Sequence, residues 1–358
     1  MTESKLNRTF VVLIIYIVVI SMLAFNISSI PQLQIHTQPH MANKHVNRTD
    51  YHEASQQAHV CGPISNVLTE SIKPDPNIRE TTCNCCFQHN YDYLINNRNI
   101  CKTSGSDQNI DLFMIIFTEH VNFEKRQAIR QTWLTIANGN TASVRYVFLL
   151  GKVNDDLLTK NVTLENMLYK DILKEDFIDT YKNQTLKTIM GFKWIANYCR
   201  TAKYVMKSDD DTFINVPNIL NYIKNSGKGL QTQLVGSCGN DGPIRELDSK
   251  WYASKQEYKE RSYPWHCSGT GYFTSFKIVE KIYKVSPYVP FFWIEDIYVS
   301  LCFRKIGGTV KNVKGFYRSR QTLDPCLYKE DKLFTSHKVT PEMFRQVWNA
   351  KCKTAKCK

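Results

Sequence analysis

Three consecutive carboxylates stand in Lys207-Ser208-Asp209-Asp210-Asp211-Thr212, directly after the apolar run Tyr204-Val205-Met206. Adjacent acids repel, and a divalent ion removes that cost. Mn2+ or Mg2+, hard ions that take oxygen ligands and keep phosphate oxygens in their shell, suit such a place; a solvated Asp-rich turn is the plain alternative. A second acidic pair, Glu295-Asp296, follows Phe291-Phe292-Trp293 and opens a helical pattern that ends near Gly307-Gly308. Acids there serve as caps or dipole partners, or one of them, desolvated by the aromatic groups, serves as a general base. Arg126 and Arg130 are four apart and share one helix face. That pair can grip a diphosphate or form a solvated stripe. Tyr263-Pro264-Trp265-His266 leads into Cys267-Ser268-Gly269-Thr270-Gly271-Tyr272. A small turn between aromatics lets backbone approach a stacked sugar, or simply packs tightly. His337 precedes Thr340-Pro341-Glu342, an N-cap and first turn for the final helix. A lone His there is more often structural than a ligand.

These groups need a scaffold. Apolar runs at Leu112–Thr118, Val144–Leu150, Phe177–Thr180 and Tyr204–Lys207 read as strands. Glu124–Ala137, Asn161–Lys174, Thr185–Cys199 and Pro217–Lys224 read as helices. Alternating strands and helices imply an α/β fold with a mostly parallel central sheet. The acidic triplet then lies at the carboxyl end of a strand, where open sheets bind ligands.

Composition sets the compartment. The 358 residues carry 46 Lys+Arg against 33 Asp+Glu, a net charge of +13 that raises nucleic acid as a partner. An uncharged run beginning at Phe10 argues otherwise. Extended to Ile27, it makes about 27 Å of helix, enough for a thin bilayer. Lys5 and Arg8 precede it and favour a cytoplasmic N-terminus and a luminal remainder. Twelve cysteines fit an oxidising lumen. Cys83-Asn84-Cys85-Cys86 lacks the second pair that zinc needs. Sequons at Asn47, Asn161 and Asn183 are usable there. We therefore expect a cytoplasmic tail at 1–9, a transmembrane signal anchor at 10–27, a luminal stem at 28–80, a Cys-containing lead-in at 81–110, a catalytic domain at 111–350 and a basic Cys-containing tail at 351–358. Nucleic acid is excluded as a partner.

In this order the segments resemble glycosyltransferase family 31, the β-1,3-glycosyltransferases of the Golgi. EKRQAIRQTW from Glu124, VFLLG ending at Gly151, YKDILKEDFIDTYKNQTLKTIMGFKW from Tyr169 and AKYVMKSDDDTFIN from Ala202 carry the likeness, with SKWYAS, YPWHCSGTGYFTS and EDIYVSLC. PIR at 243–245 and SHKVTPE at 336–342 are most similar to the β-1,3-galactosyltransferase branch. The resemblance covers about 110 to 350. It implies a GT-A type nucleotide-sugar-binding fold on a single N-terminal helix, in the Golgi membrane with the catalytic domain luminal. It implies a UDP-sugar donor, UDP-galactose first, a divalent metal (Mn2+ or Mg2+), a glycan acceptor on protein or lipid, and inversion at the anomeric carbon. Carried over residue by residue, Asp211, Asp209 and His337 are metal ligands and Asp296 is the base, with Glu295 assisting. Arg126, Arg130, Lys207, Asp209 and Asp210 face the donor. Trp251, Tyr252, Gly269, Thr270 and Gly271 lie near the sugars. Ser300 stands where the family usually has Gly, and Trp265-His266 replaces a commoner pair. N-acetylglucosaminyl- and N-acetylgalactosaminyltransferases share these motifs. An inactive Golgi chaperone and a secreted carbohydrate-binding module are the readings from other classes.

Overall fold

A computed structural model describes residues 83, 86–102 and 109–352. The expected tail, anchor and stem, and the sequon at Asn47, lie outside the described residues. Among the described residues no helix is long and apolar enough to cross a membrane.

The main sheet has eight strands. From edge to edge they are β1 (Tyr93–Ile95), β4 (Ile172–Ile178), β3 (Val144–Lys152), β2 (Ile110–Phe117), β5 (Ala202–Asp209), β8 (His266–Ser275), β7 (Gln233–Gly239) and β9 (Thr309–Asn312). β4, β3, β2 and β5 are mutually parallel, while β8 runs antiparallel to both β5 and β7. A parallel strand covered on both faces must be apolar throughout. β2 meets that condition: Phe113, Ile115 and Phe117 enter one core layer, and Leu112, Met114 and Ile116 enter the other. The first layer is closed by α3 (Gln184–Tyr198), α5 (Phe276–Val285) and α6 (Glu295–Lys305). The second is closed by α1 (Phe123–Gln131), α2 (Asp156–Tyr169), α4 (Val216–Asn225) and α7 (Pro341–Asn349). A small sheet joins β10 (Phe316–Tyr317), β11 (Thr335–Ser336) and β6 (Phe213–Ile214), in that order.

Two expected elements change. The helix expected over Asn161–Lys174 ends at Tyr169, because Lys170 takes a left-handed conformation at φ 52°. The strand β4 follows and absorbs Lys174 and Glu175, charges that made this stretch read as a helix face. Glu175 is accommodated by His89 at 2.6 Å and Lys193 at 2.6 Å, partners far off in sequence. The helix expected over Glu124–Ala137 stops at Gln131 and resumes as a single 3-10 turn at Thr135–Ala137.

Disulfides join Cys83–Cys86, Cys101–Cys199, Cys238–Cys267 and Cys326–Cys352. The second closes the longest loop, 98 residues. Chain-entropy reasoning assigns a loop of that size about 4–5 kcal/mol.

Candidate active site

β2 sends its chain to β3 on one side, and β5 adds on the other. The strand order reverses between them, so the loops that leave their carboxyl ends diverge and open a crevice. Phe117 and Asp209 are paired at that edge.

The acidic triplet divides by role. Asp210 is buried and accepts hydrogen bonds from Thr118 Oγ1 at 2.7 Å, Asn122 Nδ2 at 2.9 Å and Lys125 Nζ at 3.0 Å. Burial pushes its carboxyl up, and Lys125 opposes this. Asp210 therefore braces the β2–α1 loop against β5. Expected to face the donor, it has both oxygens engaged by that loop and α1. Asp209 and Asp211 are half-buried and, with His337, place one ligand atom each within 4.8 Å of one another. The small sheet explains how a residue so distant arrives: Ser336 pairs antiparallel with Phe213, and Val339 N donates to the Asp211 carbonyl at 2.8 Å. His337 Nδ1 lies 3.0 Å from the Arg318 carbonyl, which leaves Nε2 facing Asp211 Oδ1 at 3.2 Å. A metal-binding imidazole typically has its second nitrogen fixed in this way. Burial raises the Asp211 carboxyl, but the His337 contact outweighs it and holds the group below its ordinary value. Two carboxylates and one imidazole suit a six-coordinate divalent cation that accepts both oxygen and nitrogen, so the residues present fit the implied metal.

Glu295 and Asp296 open α6. Glu295 is buried and its Oε1 accepts from Thr188 Oγ1 at 2.8 Å and Tyr272 Oη at 2.7 Å. Burial raises its pKa to about 6, with Lys207 opposing. Asp296 is half-buried; its Oδ2 accepts from Gly269 N at 2.9 Å and its Oδ1 from Ile297 N at 3.0 Å. Lys207 ties the two acidic groups together. Its buried ammonium lies 2.6 Å from Asp209 Oδ1 and 3.8 Å from Glu295 Oε2, and it donates to the Gly269 carbonyl. Burial pushes this amine down, and Asp209 and Glu295 more than offset it.

The expected small turn at Ser268–Gly271 is instead part of strand β8, and its glycines sit close to their neighbours for a reason. A Cβ on Gly269 would come 3.0 Å from Glu295 Oε2, 3.4 Å from Lys207 Nζ and 3.7 Å from Asp296 Oδ2. We predict that Gly269→Ala shifts these groups by a few tenths of an ångström and lowers kcat, by less than the roughly 100-fold that a 1 Å misplacement costs. Steady-state kinetics with the secondary structure checked by circular dichroism tests this; wild-type kcat would refute it. A Cβ on Gly271 would come 3.3 Å from Thr335 Cγ2, and the Thr270 carbonyl accepts from Thr212 Oγ1 at 3.0 Å. This stretch of β8 thus packs against β11 as well as α6.

Arg126 and Arg130 take other partners than a diphosphate. Arg126 is buried and donates to Glu165 through Nε at 2.8 Å and Nη2 at 2.6 Å, and to the Glu119 carbonyl at 2.6 Å. Arg130 grips Asp171 at 2.8 Å through two nitrogens and lies 2.8 Å from Glu165. The pair fastens α1 to α2, and removing one partner of such a buried network costs about 3–5 kcal/mol. Expected to face the donor, both guanidinium groups are engaged here by acids of α2 and the residues after it.

Trp251 is half exposed, with Lys250 Nζ 4.4 Å from its ring and 5.2 Å from the ring of Tyr181. Tyr181 in turn packs edge-on to Trp293 at 6.3 Å. Burial raises the Tyr181 hydroxyl, a Trp251 hydrogen bond opposes, and Asp296 and Asp209 add to the rise. Tyr181 is thus a site residue that motif reading missed; no spacing distinguishes it in sequence. Tyr252 instead bridges Ile244 through its backbone. Ser300 is buried within α6, whereas Trp265 is exposed.

Comparison with known proteins identifies relatives. The galactosyltransferase family model matches residues 124–314. Beta-1,3-galactosyltransferase 1 of Mus musculus and of Homo sapiens are each 40% identical over 263 residues, 73% of this chain and 78% of theirs. Beta-1,3-galactosyltransferase 5 of Homo sapiens is 33% identical over 242 residues, 67% of this chain and 77% of its own.

Proposed function

Because this chain belongs to the galactosyltransferase family and is a hexosyltransferase, we propose that it transfers galactose from UDP-galactose to the 3-hydroxyl of an acceptor sugar, forming a β-linkage with inversion. The observation that carries this reading is the meeting of Asp209, Asp211 and His337 at the switch point, with Asp296 on the far side of the Lys207–Gly269 link. Asp209, Asp211 and His337 would hold a divalent cation, Mn2+ or Mg2+. Such an ion, when bound, supplies neutralising charge beside the departing diphosphate.

The remaining roles belong to the chain. Gly269 N–H and the first turn of α6 fix the Asp296 carboxylate at one orientation. From there it takes the proton of the acceptor 3-hydroxyl as that oxygen attacks the anomeric carbon from the face opposite UDP. A single displacement from an α-linked donor gives the β-product. Glu295 holds Tyr272, Thr188 and Lys207 behind the base. Trp251 and Tyr181, both partly exposed, offer aromatic groups against which sugars stack. A Golgi membrane location, through the helix expected at 10–27, is supported by disulfides typical of an oxidising lumen.

Incubation with UDP-galactose, UDP-N-acetylglucosamine and UDP-N-acetylgalactosamine, simple sugar acceptors and Mn2+ tests the reading. Galactose in a β-1,3 linkage is expected. Transfer confined to an N-acetylhexosamine would overturn the donor assignment, and hydrolysis alone would overturn the acceptor role.

A further inference from the structure

α2 turns Val162 and Glu165 inward and leaves a line of leucines outside. Leu157, Leu164 and Leu168 are 67%, 54% and 72% exposed. Soluble surfaces rarely keep such a row of large apolar side chains bare. Asn161, also exposed, lies four residues after Leu157, three before Leu164 and seven before Leu168. At 3.6 residues per turn these four positions form one stripe, with Asn161 in its middle. Asn161-Val162-Thr163 is an acceptor sequon.

We infer that Asn161 carries an N-linked glycan that lies over the Leu157–Leu164–Leu168 stripe. The inference rests on the luminal placement proposed above. In the transfer, Asn161 Nδ2 forms a bond to the anomeric carbon of a lipid-pyrophosphate-linked oligosaccharide. The carbon–oxygen bond to the pyrophosphate breaks, the lipid pyrophosphate leaves, and the amide proton passes to base. The step precedes folding, because Thr163 Oγ1 afterwards donates to the Thr159 carbonyl at 2.8 Å within the helix. Once folded, the glycan's apolar C–H faces cover the leucines and its hydroxyls face water. The other described sequon is placed differently. Asn183 Nδ2 donates to the Ile178 carbonyl at 2.7 Å, and Thr185 is buried with its hydroxyl on the Phe292 carbonyl at 2.8 Å.

The full chain, expressed in cells that add N-glycans, is treated with peptide N-glycosidase, and Asn-to-Asp conversion is mapped by mass spectrometry. Protease protection in intact microsomes reports the compartment separately. Conversion at Asn161 is expected. In Asn161→Gln, increased binding of an apolar dye and concentration-dependent self-association are expected, both reversed by adding Leu157→Ser, Leu164→Ser and Leu168→Ser. A protected domain with unmodified Asn161 overturns the glycan alone. A modified Asn161 whose removal leaves dye binding and association unchanged overturns the covering role. A digested domain overturns the luminal placement together with the glycan.

Discussion

Asp296→Asn is expected to abolish glycosyl transfer while UDP and metal still bind. Asparagine has the same shape, and its carbonyl can still accept the Gly269 N–H that holds Asp296 Oδ2 at 2.9 Å. The amide cannot take a proton at neutral pH, so the chemical step loses its base. General-base contributions of this kind are worth about 100- to 10,000-fold. Glu295 is no ready substitute: it is buried, its Oε1 is shared between Thr188 and Tyr272, and its Oε2 faces Lys207 at 3.8 Å. The loss should appear in kcat with the donor dissociation constant little changed, since Asp209, Asp211 and His337 are untouched. Calorimetric UDP titration beside single-turnover kinetics separates the two quantities. Turnover within a few-fold of wild type would remove Asp296 from the mechanism.

The second large effect concerns Asp211→Ala. This carboxylate faces His337 at 3.2 Å, while its backbone carbonyl accepts the Val339 N–H independently of the side chain. Alanine therefore deletes the proposed ligand and keeps the strand pairing that brings His337 to the site. Metal-dependent donor affinity should fall by at least the roughly 10- to 100-fold that loss of an outer-shell partner costs. Weak metal-free donor binding should persist unchanged. Fluorescence titration of donor at increasing Mn2+ checks this, and an unchanged Mn2+ dependence would dismiss Asp211 as a ligand. Asp210→Asn offers a contrast: its partners Thr118, Asn122 and Lys125 hold a loop, so thermal stability should fall more than metal affinity.

The parallel strands were legible in the sequence because β2, β3 and β5 are nearly unbroken apolar runs. The placement of the acidic triplet followed from the same pattern. Of β4 only the end was legible, through the strand expected at Phe177–Thr180, because Lys174 and Glu175 before it are buried charges whose compensation comes from other elements. Arg126 and Arg130 misled for a related reason. Their helical spacing is real, but Glu165 and Asp171 sit on segments about 40 residues away. No local pattern records which acids will consume a guanidinium. Tyr181 escaped for want of any periodicity, whereas the expected meeting of Asp209, Asp211 and His337 rested on family likeness rather than on spacing.

The pairing of β11 with β6 has a consequence in time. Ribosomes add about 5–20 residues per second. Asp211 therefore emerges on the order of ten seconds before His337, and β2 through β5 can already be forming their sheet in that interval. A chain interrupted before β11 would carry Asp209 and Asp211 but not His337, the third proposed ligand. On the proposed reading, metal-assisted donor capture would wait for β11, and the Cys326–Cys352 bond ties the segment that carries β11 and α7 across its base. Loss of the segment from β11 onward would remove His337 and, with α7, part of the cover of the second core layer.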